Sequence, residues 1–178
     1  MTAPEFTGLR QNGDNMKKRW ICIFVENEIG VLARIAGLFS SKSYNVDSLT
    51  VGETEDKTIS RMTISLTSDD MTFEQVKKQL NRAVEVIKVV DYTEIPVHMK
   101  ELLFVKIYHC TEADKTEIFR IANIFSLTIT DYDKNTILLE CVQTEEKNNE
   151  LIRLLNKCFL NRIEIVRGGS VAIEAITK

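Results

Sequence analysis

Hydrophobic and polar positions divide the chain into short periodic stretches. Residues 1–15 carry Pro4, Gly8, Asn12, Gly13, Asp14 and Asn15 and show no hydrophobic period, which predicts a tail. Trp20 to Val25 is an apolar run of strand length. Asn27-Glu28-Ile29-Gly30 interrupts it, and the period then changes. Leu32, Ile35, Ala36 and Phe39 fall at i, i+3, i+4 and i+7, the spacing of one helix face, ending around Ser40 to Ser43. Val46 to Val51 and Ser60 to Leu66 read as strands joined by the acidic turn Glu53 to Lys57. In the second strand Met62, Ile64 and Leu66 alternate with Arg61, Thr63 and Ser65, so one face is buried. Phe73, Val76 and Leu80 stripe a second helix. Thr72 and Gln75, just after Asp69 and Asp70, have capping-box spacing at its start. Val84 to Tyr92 is a further strand, and Pro96 marks a boundary because a proline pushes its predecessor out of the helical region.

The second half repeats the order. Leu102 to Tyr108 predicts a strand. Thr111 with Asp114 caps a helix whose inward stripe is Ile118, Ile121, Ala122 and Phe125. Leu127 to Tyr132 and Thr136 to Val142 are strands joined by the turn-rich Asp133-Lys134-Asn135. Leu151, Leu154, Leu155 and Cys158 stripe a fourth helix. Ile163 to Val166 is a last strand, and Gly168-Gly169 predicts a turn before Val171 to Ile176. Each half therefore reads strand, helix, strand, strand, helix, strand. The expected fold is α+β: two tandem ferredoxin-like βαββαβ domains over 16–94 and 98–178, preceded by the tail. Units of ~80 residues bury a modest share of their surface and gain from association.

Composition narrows the function classes. With 44% hydrophobic and 28% charged residues, the chain has the balance of a soluble globular protein. Its 26 acidic residues outnumber 23 basic ones, which argues against a basic nucleic-acid binder. The apolar runs are too short to span a bilayer, so the expected location is the cytoplasm, away from membranes. Cys22, Cys110, Cys141 and Cys158 lie far apart in apolar stretches and read as small buried hydrophobes. His98 and His109 share no metal or catalytic motif, so neither metal ligands nor catalytic residues are expected. Lys17-Lys18-Arg19 reads as a solvated flank.

The most informative segment is Asn27-Glu28-Ile29-Gly30-Val31-Leu32, between the first strand and the first helix. The first N–H groups of a helix have no intrahelical acceptor, and the dipole places partial positive charge there, so a carboxylate fits. Gly30 admits close approach of a ligand to backbone. Asn27 offers both donor and acceptor, suited to the two charged ends of an amino acid. Two readings stand side by side: a small-ligand loop, or an asparagine helix cap beside a permissive glycine. Asn45, at the next loop-to-strand junction, is either a turn residue or part of a site shared with another copy.

The run Glu26-Asn27-Glu28-Ile29-Gly30-Val31-Leu32-Ala33-Arg34-Ile35-Ala36-Gly37-Leu38-Phe39-Ser40 closely resembles the regulatory subunits of acetolactate synthase. So do Tyr44-Asn45-Val46-Asp47-Ser48-Leu49-Thr50-Val51 and Ser60-Arg61-Met62-Thr63-Ile64. The resemblance covers residues 16 to about 94 strongly. It continues more weakly over 98–178, through Thr116-Glu117-Ile118-Phe119-Arg120 and Ile163-Glu164-Ile165-Val166-Arg167. It implies an N-terminal ACT domain that pairs with its copy into a homodimer and binds branched-chain amino acids, above all valine, at the interface. Asn27 and Gly30 then sit in the effector loop, Ile29, Val31 and Leu32 flank it, and Asn45 reaches the ligand from across the interface.

The same resemblance implies a non-catalytic subunit that activates a catalytic subunit and confers feedback inhibition by valine. Thiamine diphosphate, magnesium and FAD belong to that partner. In keeping with this, the chain has no dinucleotide or Walker motif. Three departures stand out: Ser43 where the family usually has glycine, Gly168 where it has threonine or serine, and an ending Glu174-Ala175-Ile176-Thr177-Lys178 without Arg-Gly. The rival readings are a stand-alone ACT-type sensor of a different enzyme, a ferredoxin-like RNA binder and an independent enzyme. The strands 46–51 and 60–66 lack the stacking aromatics that RNA binding needs.

Overall fold

A computed structural model describes residues 16–41 and 44–176. The expected tail, Ser43 and the final Thr177-Lys178 lie outside the described residues. The N-terminal unit runs β1 (Lys17–Glu26), α1 (Val31–Ser41), β2 (Val46–Glu53), β3 (Ile59–Ser68), α2 (Asp70–Leu80) and β4 (Val86–Asp91). The C-terminal unit runs β5 (Val97–Ile107), α3 (Glu112–Phe125), β6 (Thr128–Tyr132), β7 (Ile137–Gln143), α4 (Glu145–Cys158) and β8 (Ile163–Glu174). Both sheets are antiparallel and four-stranded, in the orders β2-β3-β1-β4 and β6-β7-β5-β8. The expected pair of βαββαβ units is what forms.

Alternation decides which face each strand buries. Ile21, Ile23 and Val25 of β1 and Met62, Ile64 and Leu66 of β3 point to one side. There they pack under Val31, Ile35 and Phe39 of α1 and Phe73, Val76 and Leu80 of α2. In the second unit Leu103, Val105, Ile107, Ile137, Leu139 and Cys141 meet Ile118 and Ile121 of α3 and Leu151 and Leu155 of α4.

Several local expectations are corrected. The buried stripe of α1 is Val31, Ile35 and Phe39, and Leu32 and Ala36 face solvent. The start of α2 is capped by Asp69, whose carboxylate accepts the Thr72 N–H at 2.8 Å, so Thr72 is the third helical residue rather than the cap. The Thr111–Asp114 capping box at α3 forms as expected. Cys22, Cys110 and Cys141 are buried, but Cys158 ends its helix exposed. Arg19 is no solvated flank: it is 4% exposed, paired with Asp70, and stacks 5.1 Å from the Phe73 ring. Gly168-Gly169 makes no turn. Gly169 has φ +74°, and β8 runs on past a shift of register against Glu101 and Leu103 of β5, which is a β-bulge.

That bulge determines how the units meet. β5 pairs with β7 only from Glu101 onward, while Val97–Glu101 and Ser170–Glu174 pair as a two-stranded extension. Val97, Met99 and Ala172 of this extension pack on Trp20, Cys22, Phe24, Val90 and Tyr92, on the side of the first sheet away from its helices. Gly169 lies so close to β2 that an added Cβ would stand 2.8 Å from Thr50 Cγ2, and Thr50 Oγ1 donates to the Ser170 carbonyl at 2.9 Å. Beside this junction Glu101 is buried and binds Arg167 and Asn148. Burial pushes the Glu101 carboxyl up, but those hydrogen bonds outweigh it and hold it below its ordinary value.

Candidate functional site

The loop from Asn27 to Gly30 follows from where β1 ends. Glu26 is the last paired residue, facing Ile59, and the Asn27 N–H donates to the Thr58 carbonyl at 2.7 Å. The Asn27 side chain is then committed to the β2–β3 hairpin. Its Nδ2 donates to the Lys57 carbonyl at 2.9 Å, and its Oδ1 accepts the Ser60 hydroxyl at 2.9 Å. Asn27 therefore does not cap α1; it fixes the loop to the hairpin beneath it. Sequence reasoning missed Ser60 as the anchor. Its position at the start of the Ser60-Arg61-Met62-Thr63-Ile64 run was visible, its contact was not.

Gly30 has φ +87°, a conformation that L side chains avoid, and an added Cβ would lie 3.3 Å from Arg34 Nη1. The turn lets the Val31 N–H reach the Glu28 carbonyl at 3.3 Å and the Arg34 N–H the Gly30 carbonyl at 3.0 Å. Leu32 and Ala33 supply the first-turn N–H groups for which the helix geometry provides no partner. Asn27, Glu28, Ile29 and Gly30 are all exposed, Ile29 fully. The loop thus offers unpaired amides and an uncrowded backbone to an anion arriving from solvent.

Asn45 lies at the other end of the unit. It is exposed, one residue before β2, and β2 is an edge strand. Val46 pairs with Leu66 at one end of β2, and Glu53 with Ser60, the anchor of Asn27, at the other. An eight-residue strand at ~3.3 Å per residue holds Asn45 and the Asn27–Gly30 loop roughly 25 Å apart. One chain does not bring them together. Along the helix-side margin of the same edge, Leu32, Ala36, Leu49 and Val51 are apolar and exposed. Next to Asn45 a groove of about 280 Å³ opens between α1 and β2, walled by Ile35, Ala36, Phe39, Tyr44 and Leu49.

Among the described residues no three His, Cys, Asp or Glu side chains gather as a metal site, and no helix is long and apolar enough to cross a membrane.

Comparison with known proteins gives this loop its context. Residues 21–88 match the AHAS small subunit-like ACT domain family, and residues 100–176 the family described as small subunit of acetolactate synthase. The acetolactate synthase small subunit of Aquifex aeolicus is 41% identical over 158 residues, covering 89% of this chain and 81% of that protein. The chain belongs to the acetolactate synthase small-subunit family. A probable small subunit from Archaeoglobus fulgidus is 40% identical over 88% of this chain and 96% of its own length. The crystal structure of the Thermotoga maritima small subunit superposes with a TM-score of 0.80 at 31% identity, over 91% of this chain and 99% of that one. Its fold is thus that of acetolactate synthase small subunits, with an ACT unit in its first half. It is a regulatory, non-catalytic chain.

Proposed function

We propose that this chain binds valine between two copies of its ACT unit and passes that occupancy to the catalytic subunit of acetolactate synthase as feedback inhibition. The observation that carries the reading is the separation of the two halves of the site along one edge strand. A two-fold axis beside β2 sets the strand antiparallel to its copy. The Asn45 end of one copy then lies beside the Asn27–Gly30 loop of the other, and two equivalent sites form. The exposed edge and its margin of Leu32, Ala36, Leu49 and Val51 supply apolar surface for such an isologous interface.

Each group then has a role. The N–H groups at the start of α1 donate to the valine carboxylate, with the helix dipole aligned to it. Gly30 keeps the approach open, Asn27 holds the loop in shape, and Asn45 of the second copy supplies a polar partner. Ile29, Val31 and Leu32 frame the loop, Val31 from the core and the other two from the exposed side. Inhibition is linkage. Valine favours the arrangement of the paired units in which the catalytic chain is less active, with a coupling on the order of 1–3 kcal/mol. Thiamine diphosphate, magnesium and FAD are assigned to the catalytic chain, and the assembly to the cytoplasm.

Complementation tests the shared site. Gly30→Asp and Asn45→Ala homodimers should each bind valine poorly in calorimetry. A mixture of the two should regain one intact site per heterodimer, since one interface then pairs an unaltered loop with an unaltered Asn45. No recovery on mixing, with heterodimers present, would refute the arrangement.

A further inference from the structure

The route from the effector loop to the rest of the molecule is the open question once valine is placed at that loop, and the inference below rests on that placement. Neighbouring residues of β3 point to opposite faces of the sheet. Ser60 points to the helix side and donates to Asn27 of the loop at 2.9 Å. Arg61 points to the other side, where the C-terminal unit lies. There its Nε is 3.2 Å from Cys22 Sγ, and its Nη2 donates to Tyr92 Oη at 2.6 Å and to the carbonyl of Ala172 on β8. The guanidinium also lies 5.5 Å from the Phe24 ring and 5.9 Å from the Tyr92 ring. A planar cation with several fixed donors holds such partners at once; an ammonium does not.

The other polar links between the units are differently placed. Thr50 meets Ser170 in mid-β2, and Lys18 meets Glu145 at the far end of β1. Arg61 alone among these three stands one residue from the loop's anchor. We infer that Arg61 is the positioning residue that couples the effector loop to the C-terminal unit: a shift of the loop moves Ser60, and the same piece of β3 carries Arg61 and its grip on the Ala172 carbonyl of β8. Burial and the neighbouring Cys22 push the Tyr92 phenol up to about 12, so at neutral pH it stays a hydroxyl that accepts from Arg61.

Arg61→Met and the reconstituted holoenzyme test this. In the unaltered protein, saturating valine should change amide hydrogen exchange at residues 170–174 by about fivefold, the low end of ordinary coupling. The Arg61→Met protein should bind valine within about threefold of the unaltered affinity, yet lose the exchange change at 170–174 and at least about tenfold in valine sensitivity of acetolactate formation. Arg61→Lys keeps the charge but not the fork, and should lie between the two; it also serves if Arg61→Met does not fold. Normal binding with normal transmission in a folded variant overturns the inference. So does a folded Arg61→Met protein that no longer binds valine, because Arg61 then belongs to the binding site. If the unaltered chain binds no valine, the effector reading itself fails, and this inference with it.

Discussion

Gly30 is the residue on which the proposed effector loop most depends. Its φ of +87° and the 3.3 Å approach of Arg34 to a would-be Cβ make any substitution there strained, by roughly 1–2 kcal/mol before ligand contacts are counted. Gly30→Asp adds a carboxylate where the ligand carboxylate is to sit. We expect it to abolish valine inhibition of the reconstituted enzyme while largely sparing activation; an unchanged valine titration would remove Gly30 from the site. Ser60→Ala is expected to weaken valine binding without touching the ligand, because it releases Asn27 Oδ1 from its only side-chain donor among the described residues. Calorimetry measures this, and an unaltered affinity would show that the loop keeps its shape without the anchor. The loop's composition was legible in the sequence. The direction of Asn27 was not, because spacing that suits a helix cap equally suits a bond to a hairpin thirty residues on.

At the scale of elements, sequence periodicity located eight strands and four helices, because most of them bury one face and the period of the apolar residues records which. What it misplaced were ends and irregularities. Asp69 and Thr72 are both good capping residues, and only the geometry selects Asp69. Asp69→Ala should therefore cost about 1 kcal/mol in urea unfolding and Thr72→Ala distinctly less. Equal costs would return the cap to ambiguity. Gly168-Gly169 has the composition of a turn, yet it forms a bulge, because β5 extends far enough to keep β8 paired on both sides of it. At Gly169 a methyl group would meet Thr50 Cγ2 at 2.8 Å in a backbone conformation that disfavours it. Gly169→Ala is expected to loosen the contact between the units, seen as faster amide exchange at 170–174 with the core of each sheet unchanged. Leu32 and Ala36 teach the same lesson from the other side. Their helical spacing reads as core, but within one chain they are exposed, as residues awaiting a second copy would be.

For the whole molecule, a buried polar cluster of Glu101 with Arg167 and Asn148 lies within the C-terminal unit, beside its junction with the first. Asp114 adds a second carboxylate held well below its ordinary range, by Arg162 and the amide of Thr111. Groups depressed on folding stabilise above their unfolded pKa and lose that contribution as pH falls through the folded value. Stability should accordingly be flat near neutrality and fall below about pH 4. Glu101→Gln should flatten the acid limb of a thermal-unfolding series, and an unchanged limb would place the acid sensitivity elsewhere. The sequence showed two similar units; it did not show that a β-bulge and an arginine join them, since the bulge depends on a strand more than sixty residues away and the arginine on a carbonyl more than a hundred residues away.

The role proposed for this chain is to regulate an acetolactate synthase in response to valine. The most direct measurement is acetolactate formation by the catalytic subunit with and without the chain, across a valine titration. We expect a higher rate on adding the chain and a saturable fall as valine is added, absent from the catalytic subunit alone. A rate that ignores the chain, or a stimulated rate that ignores valine, would contradict it.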